Sequence, residues 1–261
     1  MLIINADDWG RSQAETDAAL KCDNNGRITS VSAMVFMQDS ERAAQLAREN
    51  QIDVGLHLNF SEQFTGNHYP ATLGEAHRRI AAFLTGNKYS QLLFNPFLRR
   101  QFFCSYQAQV EEFVRLFGKS PSHLDGHHHM HLCANVVFSS TIAPGARIRR
   151  NFSFWPGEKS VFNRAYRAVI DRRLAHKYQM TDYFFDLSQC VEENKFERVV
   201  TLANSGNVEL MTHPVLASEF EYLMSDTFGD LLQKVQAGGY EEMPSRPIDG
   251  KSVTAGAGFV L

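Results

Sequence analysis

The 261-residue chain has few cysteines and no long apolar run. Its four cysteines lie at positions 22, 104, 133 and 190, and no two have the CxxC spacing of a zinc ribbon or a redox motif. No stretch approaches the ~18 apolar residues of a transmembrane helix, and the apolar run near the N-terminus is too short for a signal peptide. We therefore expect a soluble, cytoplasmic protein with reduced thiols and no membrane partner.

The chain also lacks an excess of charge of either sign. It has 26 basic and 29 acidic residues, a formal net charge of −3, and nothing that favours nucleic acid as a partner. Neither GxGxxG nor GxxxxGK[ST] occurs, so the sequence does not indicate a nucleotide site. With 44% hydrophobic residues, the composition is that of a globular protein able to bury a large core.

Short apolar runs alternate with longer amphipathic segments along the chain. This alternation predicts a parallel α/β fold, and about seven such units favour a distorted (β/α) barrel over a doubly wound open sheet. We predict one catalytic domain over residues 1–261, with an insertion around 61–104 that has poor helical periodicity and covers a site as a loop. The predicted strands are 2–5, 28–36, 53–60, 146–152, 182–187 and 207–214, and the predicted helices are 11–26, 39–50, 108–118, 160–177 and 217–236.

The stretch "HLDGHHHMH", residues 123–131, contains five of the ten histidines. A metal site, a catalytic centre, a loose chelating tract and a chance cluster are all compatible with this composition. If the tract is extended, His127, His129 and His131 share one face, and if it is helical, His127 and His131 stack at i, i+4. In either conformation at most two of these imidazoles can bind one ion, so the others orient ligands or line a groove.

Several predicted strands end in polar side chains. In parallel α/β folds the chemistry lies at the carboxyl ends of the strands, so Asp7, Asp8, His57, His127 and His213 are expected at one mouth. Each has an ordinary structural explanation: a turn for the Asp pair, a buried histidine for position 57, and a strand end for position 213. Their common placement at strand ends favours a functional site.

Four motifs, in this order, resemble the YdjC family of carbohydrate deacetylases: "NADDWG", "GLHLN", "HLDGHHHMH" and "LMTHP". The resemblance covers most of residues 1–235 and implies a distorted (β/α) barrel of the deacetylase type. It also implies one divalent metal ion held by an aspartate and two histidines. The chain departs from the family at Gly126, where relatives have Ser, and at Trp9, where Phe is more usual. The last residues, from Pro244 onward, do not resemble the usual end of the family.

Residue by residue, the resemblance implies that Asp8, His57 and His127 bind the metal. Asp7 corresponds to a catalytic base, although the two aspartates can exchange roles, and His213 corresponds to the general acid. Arg149 or Arg150 can stabilise the oxyanion or bind sugar hydroxyls, and we select Arg150. Trp9 and Trp155 can stack on a sugar ring, but as core aromatic residues they need no such role.

The sequence thus predicts a metal-dependent hydrolase that removes an N-acetyl group from an amino sugar or a chitooligosaccharide-like substrate. Two imidazoles and a carboxylate suit zinc, manganese or cobalt better than magnesium, whereas the family resemblance points to magnesium, so zinc and magnesium both stay open. A barrel-type phosphoesterase and a non-catalytic metal-binding protein are the alternatives. A homodimer is expected only from the general frequency of dimers.

Overall fold

A computed structural model describes residues 1–139, 141–155, 157–192 and 195–245 of the chain. Within these ranges it contains one six-stranded sheet in which every neighbouring pair of strands is parallel. The strands are β1 (Leu2–Trp9), β2 (Ser30–Ala33), β3 (Val54–Leu58), β4 (Leu124–Gly126), β5 (Tyr183–Asp186) and β6 (Val208–Thr212).

The strand order β4-β3-β2-β1-β6-β5 follows the chain once around a curved sheet. An extended segment, residues 146–149, lies between the two edge strands. It makes parallel bridges from Ile148 to Leu124 on β4 and from Arg147 to Gln179, just before β5. Each strand therefore neighbours the strands before and after it in the sequence, as in a barrel. This order confirms the distorted (β/α) barrel and excludes the doubly wound sheet for the described residues.

Three strand predictions were wrong in extent or type. The strand predicted at 2–5 continues to Trp9. Residues 146–152 form no regular strand, because they make only isolated bridges, to Leu124 on one side and to Gln179 on the other. The strand predicted at 28–36 covers only Ser30–Ala33, and the chain then bends into the next helix. Hydrophobic patterns indicate which residues are buried, but a buried segment need not form regular hydrogen bonds with a neighbouring strand.

Ten α-helices surround the sheet in the described part of the chain. They are α1 (Gln13–Asn24), α2 (Ser40–Glu49), α3 (Ala71–Gly86), α4 (Arg99–Phe117), α5 (Ala134–Val137), α6 (Val161–Ala175), α7 (Leu187–Glu192), α8 (Phe196–Ala203), α9 (Ala217–Met224) and α10 (Asp226–Leu232). The predictions at 11–26, 39–50 and 160–177 are confirmed within a few residues. The helix predicted at 217–236 is two helices, because Ser225 ends α9 and caps α10 through a bond from the Phe228 N–H. No helix in the described ranges has the length and apolar character needed to cross a bilayer.

The segment 61–104 is more helical than its sequence pattern indicates. It contains α3, two single turns at Ser90–Leu92 and Pro96–Leu98, and the first residues of α4. Helix α3 buries Leu73, Ile80 and Leu84 against α4, so the apolar stripe is present but short. Helix α4 begins nine residues before the predicted start at 108 and ends at Gly118, whose φ of +70° fits a left-handed cap.

All strands except β5 are buried along their whole length, as expected for a parallel sheet covered by helices. Between sheet and helices lies one large apolar cluster with members from Leu2 to Leu231. The barrel interior is polar instead. Asn5, Ser30 and Ser32 form a hydrogen-bonded row across β1 and β2, which places polar partners beneath the carboxyl ends of the strands.

His123 lies in this interior, just before β4, and is almost fully buried. Its Nε2 atom is 3.0 Å from Ser32 Oγ, and its ring stacks on Tyr240 with 3.8 Å between centroids. A Cβ atom on Gly55 would lie 2.2 Å from this imidazole, so the glycine provides the space for it. Burial lowers the pKa of His123 to about 4.

This lowered pKa makes folding stability depend on pH. Between pH 6.5 and 4 an unfolded His123 binds a proton that the folded one does not, so stability falls as the pH decreases through this window. We expect His123→Gln to reduce the slope of the unfolding free energy against pH by about 1 kcal/mol per pH unit. Urea titrations of metal-free protein between pH 6 and 5 measure the slope. The control is His176→Gln at an exposed position, and the same slope change in both variants would contradict the prediction.

Candidate active site

Asp7 and Asp8 lie in an irregular part of β1. Ala6 pairs with Val31 and Trp9 with Ala33, so β1 uses one more residue than β2 over this interval. Asp8 has a φ of +66°, in the left-handed region that few residues other than glycine adopt. In a regular strand successive side chains point to opposite faces. The bulge instead brings a carboxylate oxygen of each aspartate within 4.8 Å of a ring nitrogen of His57.

Asp8, His57 and His127 form the group that best fits a metal ion. Asp8 Oδ1 is 2.9 Å from His127 Nδ1 and 3.4 Å from His57 Nε2. All three residues are buried, and one ligand atom of each lies within 4.8 Å of the others. With metal–ligand bonds of about 2.1 Å, donor atoms are roughly 3 Å apart, so this donor set fits a divalent ion. The structure thus brings together the three predicted metal ligands.

A neighbouring strand orients His57. His57 on β3 is paired in register with Asp125 on β4, and its Nδ1 atom is 2.8 Å from Asp125 Oδ1. The other ring nitrogen is therefore left facing Asp8. A carboxylate on the far nitrogen of a histidine is a common way to fix a metal-binding imidazole.

Arg149 lies fully buried at the centre of the barrel. Its guanidinium donates two hydrogen bonds to Asp7, at 2.6 and 2.7 Å, and one to Glu209 at 2.7 Å. Its Nη2 atom is also 2.6 Å from Asp125 Oδ2. A single cation thus holds three buried carboxylates that come from β1, β4 and β6.

The charges in this cluster change the acidity of its members. Burial is the largest effect on Asp7 and would raise its pKa, but the charge and hydrogen bonds of Arg149, together with the charge of His57, hold this pKa below its usual range. Burial alone would lower the pKa of His57, but the carboxylates of Asp125 and Asp7 raise it to about 9. The surroundings therefore favour positive charge beside His57, a preference that also favours a bound cation.

The histidine tract adopts neither of the two conformations considered for it. Residues 127–132 make a tight turn in which His128 and His129 have φ values of +53° and +57°. His128 Nδ1 is 3.0 Å from Ser61 Oγ, and His131 Nε2 is 3.1 Å from the Arg149 carbonyl oxygen. His129 packs edge-on against Phe152. Within the described residues, His127 is the one member of the tract in the Asp8–His57 group.

His213 follows β6 and faces the same end of the barrel. Its backbone N–H donates to Glu219 Oε2 at 2.6 Å, and Thr212 donates to the same oxygen at 2.6 Å. A carboxylate oxygen of Asp186, from the end of β5, lies within 4.8 Å of a ring nitrogen of His213. Burial is the largest effect on Asp8 and would raise its pKa. The nearby histidines His57 and His127, and after them the charge of His213, lower it.

A cavity of about 500 Å³ opens beside the histidine tract. Arg150 lines it, with its side chain bonded to Asp171 Oδ2 at 2.9 Å and to the Asp182 carbonyl oxygen. The predicted role of Arg150 in catalysis stays a prediction, whereas Arg149 is the arginine that contacts Asp7. Other lining residues include Lys88, Tyr89 and Leu92 from the insertion and His128, His129 and Phe184 from the barrel.

The two tryptophans do not face this cavity. Trp9 is fully buried, and its Nε1–H donates to the Ala43 carbonyl oxygen at 3.0 Å. Trp155 stacks on Phe185, and the Arg198 guanidinium lies 3.9 Å from the centre of its ring. The prediction that Trp9 stacks on a sugar is wrong, because Trp9 is fully buried. Its alternative role as a core aromatic residue is confirmed.

Four residues of the site were not selected from the sequence: Asp125, Arg149, Glu209 and Glu62. For two of them the sequence contains a feature that points to the site. Asp125 is inside the "HLDG" motif, and Glu209 is a lone carboxylate in the apolar run "VELM". Arg149 and Arg150 are adjacent, and the sequence does not distinguish them. Glu62 is in the segment with weak periodicity, where the hydrophobic pattern does not indicate which side chains point toward the barrel.

Comparisons with known proteins agree with this geometry. The profile of the family described as YdjC-like protein matches residues 1–234. A mouse protein named carbohydrate deacetylase is 29% identical over 250 residues, covering 82% of this chain and 77% of its own. Its human counterpart is 30% identical over 254 residues, covering 82% and 74%. A chitooligosaccharide deacetylase from Proteus mirabilis is 31% identical over 142 residues, about half (52%) of each chain.

A solved structure from Enterococcus faecalis V583 has the same fold. That protein carries a provisional description as a cellobiose-phosphate cleavage protein. It superposes with a TM-score of 0.67 and 17% sequence identity, covering 92% of this chain and 97% of its own. Because the family profile extends over nearly all the described residues, and the barrel carries its aspartate and histidine motifs at one mouth, the chain belongs to the YdjC-like family.

Proposed function

We propose that this protein is a metal-dependent hydrolase that removes an N-acetyl group from an amino sugar or a chitooligosaccharide-like substrate. The observation that carries the proposal is the Asp8–His57–His127 group with a second carboxylate, Asp7, directly beside it. The names of the mouse, human and Proteus relatives support the same reaction.

Asp8, His57 and His127 would hold one divalent ion, magnesium or zinc. When bound, such an ion lowers the pKa of a coordinated water from 15.7 to about 7 and polarises a carbonyl group. The two imidazoles favour zinc on grounds of ligand softness. Three protein ligands leave coordination positions open, as catalytic sites require.

Asp7 is suited to act as the general base. Its lowered pKa keeps it ionised at neutral pH, and Arg149 and Asn5 fix its position through hydrogen bonds. Asp8 differs because its Oδ1 atom faces both candidate histidine ligands. These contacts support the division of the pair into base and ligand.

His213 would donate a proton to the departing amine. Its backbone is held by Glu219, and it follows β6, next to β1, which carries the two aspartates near its carboxyl end. A base and an acid on adjacent strand ends fit a hydrolysis that takes a proton from water and gives one to nitrogen.

The cavity beside His128 and His129 would hold the sugar. Tyr89, Tyr166 and Phe184 offer flat aromatic faces, and Arg150 and Asn163 offer hydrogen-bond donors at its wall. The insertion contributes part of this wall and would shape substrate choice. Arg150 is retained as a residue that binds the substrate or stabilises the oxyanion.

Three further properties belong to the proposal. A single catalytic domain over 1–261 is supported by the one large apolar cluster, although residues 246–261 lie outside the described part. A cytoplasmic location follows from the sequence composition. A homodimer is a working expectation.

The activity is tested by acetate release. We expect the purified protein to release acetate from N-acetylated sugars such as chitobiose, to lose this activity with a chelator, and to regain it with zinc or magnesium. Elemental analysis should give one ion per chain. No acetate release from any N-acetylated sugar in the presence of metal would refute the proposal. Two or more ions per chain together with phosphate release from sugar phosphates would support a phosphoesterase instead.

The role of Asp7 predicts separate effects on catalysis and on metal binding. Asp7→Asn keeps the shape of the side chain but removes the base, so kcat should fall by ~10²–10⁴-fold. Zinc affinity, measured by isothermal titration, should be retained because the three ligands remain. Asp17→Asn, at an exposed aspartate that pairs with Arg42, is the matched control and should keep full activity. Loss of zinc binding in Asp7→Asn would show that Asp7 is the ligand.

The role of His213 predicts a dependence on the leaving group. His213→Gln should lower kcat for an N-acetyl sugar by ~10²–10⁴-fold, because the amine leaves only with a proton. With p-nitrophenyl acetate the loss should be much smaller, because p-nitrophenolate leaves unprotonated. An equal loss on amide and ester would argue against a general acid at this position.

A further inference from the structure

Each candidate metal-binding histidine has a carboxylate near the ring nitrogen that points away from Asp8. For His57 this carboxylate is Asp125, which is fully buried. For His127 it is Glu62, whose Oε2 atom is 2.8 Å from His127 Nε2, an ion-pair contact without the alignment of a hydrogen bond. Asp125 comes from the neighbouring barrel strand, whereas Glu62 comes from the insertion. The two histidines are therefore supported by different parts of the fold.

The backbone of Glu62 is held firmly. The side-chain oxygen of Asn59 accepts from the Glu62 N–H at 2.9 Å, and the Asn59 amide donates to the Glu62 carbonyl oxygen at 2.8 Å. His77 Nε2, on α3, is 2.7 Å from the same carbonyl oxygen. Asn59 follows β3 directly, so one strand end positions both His57 and the loop that carries Glu62.

The side chain of Glu62 is held by Arg11. Arg11 Nε is 3.1 and 3.0 Å from the two carboxylate oxygens, and Arg11 Nη1 is 3.6 Å from Asp8 Oδ2. Arg11, Glu62, His127 and Asp8 thus form a closed ring of alternating opposite charge when the imidazole is protonated or bound to a cation. A carboxylate restrained in this way cannot rotate away from the imidazole without losing two contacts with the guanidinium.

We propose that Glu62, held by Arg11, is the positioning residue that keeps the ring of His127 with Nδ1 toward Asp8, and that this contact sets the affinity of the metal site. A metal-bound imidazole keeps its proton on the other nitrogen. A carboxylate at that proton fixes the tautomer and the ring orientation and makes the bound nitrogen a better donor. The inference rests on the proposed metal-dependent function. It assigns to the insertion a role at the metal site in addition to its place in the cavity wall.

The test compares zinc affinities of metal-free variants by isothermal titration. Glu62→Ala should bind zinc about 10–100-fold more weakly than the wild type. Glu62→Gln should lose less, because its amide oxygen can still accept from the ring N–H. Arg11→Ala should give an intermediate loss. Glu15→Ala is the matched control, because Glu15 Oε1 also contacts Arg11, at 3.2 Å, but has no contact with His127.

A second readout separates a positioning residue from a ligand. The cobalt-substituted Glu62→Gln protein should keep the coordination number of the wild type, read from the intensity of its visible bands, because no ligand is removed. A changed coordination number would overturn the inference, because Glu62 would then bind the metal itself. Zinc affinities of Glu62→Ala and Arg11→Ala equal to that of Glu15→Ala would also overturn it.

The outcomes distinguish this inference from the proposed function. If the wild type binds zinc and releases acetate while the Glu62 variants keep their affinity, only the positioning role fails. If the wild type binds no zinc or magnesium, the proposed function fails with it. Thermal unfolding verifies that each variant is folded. Glu62 is partly exposed, and if its alanine variant is unfolded, Glu62→Gln and Arg11→Ala carry the comparison.

Discussion

The buried guanidinium of Arg149 is the contact on which the interior of this barrel depends. It meets Asp7 of β1, Asp125 of β4 and Glu209 of β6, so one cation joins strands from three parts of the chain. Each of these carboxylates is costly to bury alone, and removing the shared partner would leave several uncompensated charges. Burial raises the pKa of Glu209 to about 7, against the opposing effect of the Arg149 guanidinium. The other two carboxylates, of Asp7 and Asp125, lie beside His57 and the proposed metal site.

This cluster explains how the site acquires its geometry. Asp125 contacts Arg149 with one oxygen and His57 with the other, so the orientation of a candidate metal ligand is linked to the centre of the barrel. Asp7 is fixed by the same guanidinium, one residue from the proposed ligand Asp8. The proposed base and two of the three proposed ligands, Asp8 and His57, therefore lie on barrel strands. His127 differs, because its outer nitrogen faces Glu62 on the inserted segment.

The sequence predicts the barrel and the ends of its strands because both depend on burial, which apolar runs report directly. The meeting of strand ends at one mouth of a parallel barrel also predicts that Asp8, His57 and His127 lie close together, as they do, whereas their assignment as metal ligands comes from the family resemblance. The sequence does not distinguish Arg149 from Arg150. That choice depends on which side chain points inward, and residues 146–152 form no regular strand from which an alternation can be read. Helix α3 was missed for a related reason, since its apolar stripe is short and faces α4 rather than the sheet.

The backbone conformations at the site were also hidden in the sequence. In the described residues, three of the five non-glycine residues with positive φ are Asp8, His128 and His129. Such conformations cost of order 1–3 kcal/mol each and persist only where the surrounding contacts impose them. At Asp8 the result is a bulge that brings two adjacent carboxylates to one imidazole. At His128 and His129 it is a turn that leaves His127 beside Asp8 and sends the next two rings toward the cavity. In the histidine tract the strain is therefore located where one short segment provides both a proposed metal ligand and part of the cavity wall.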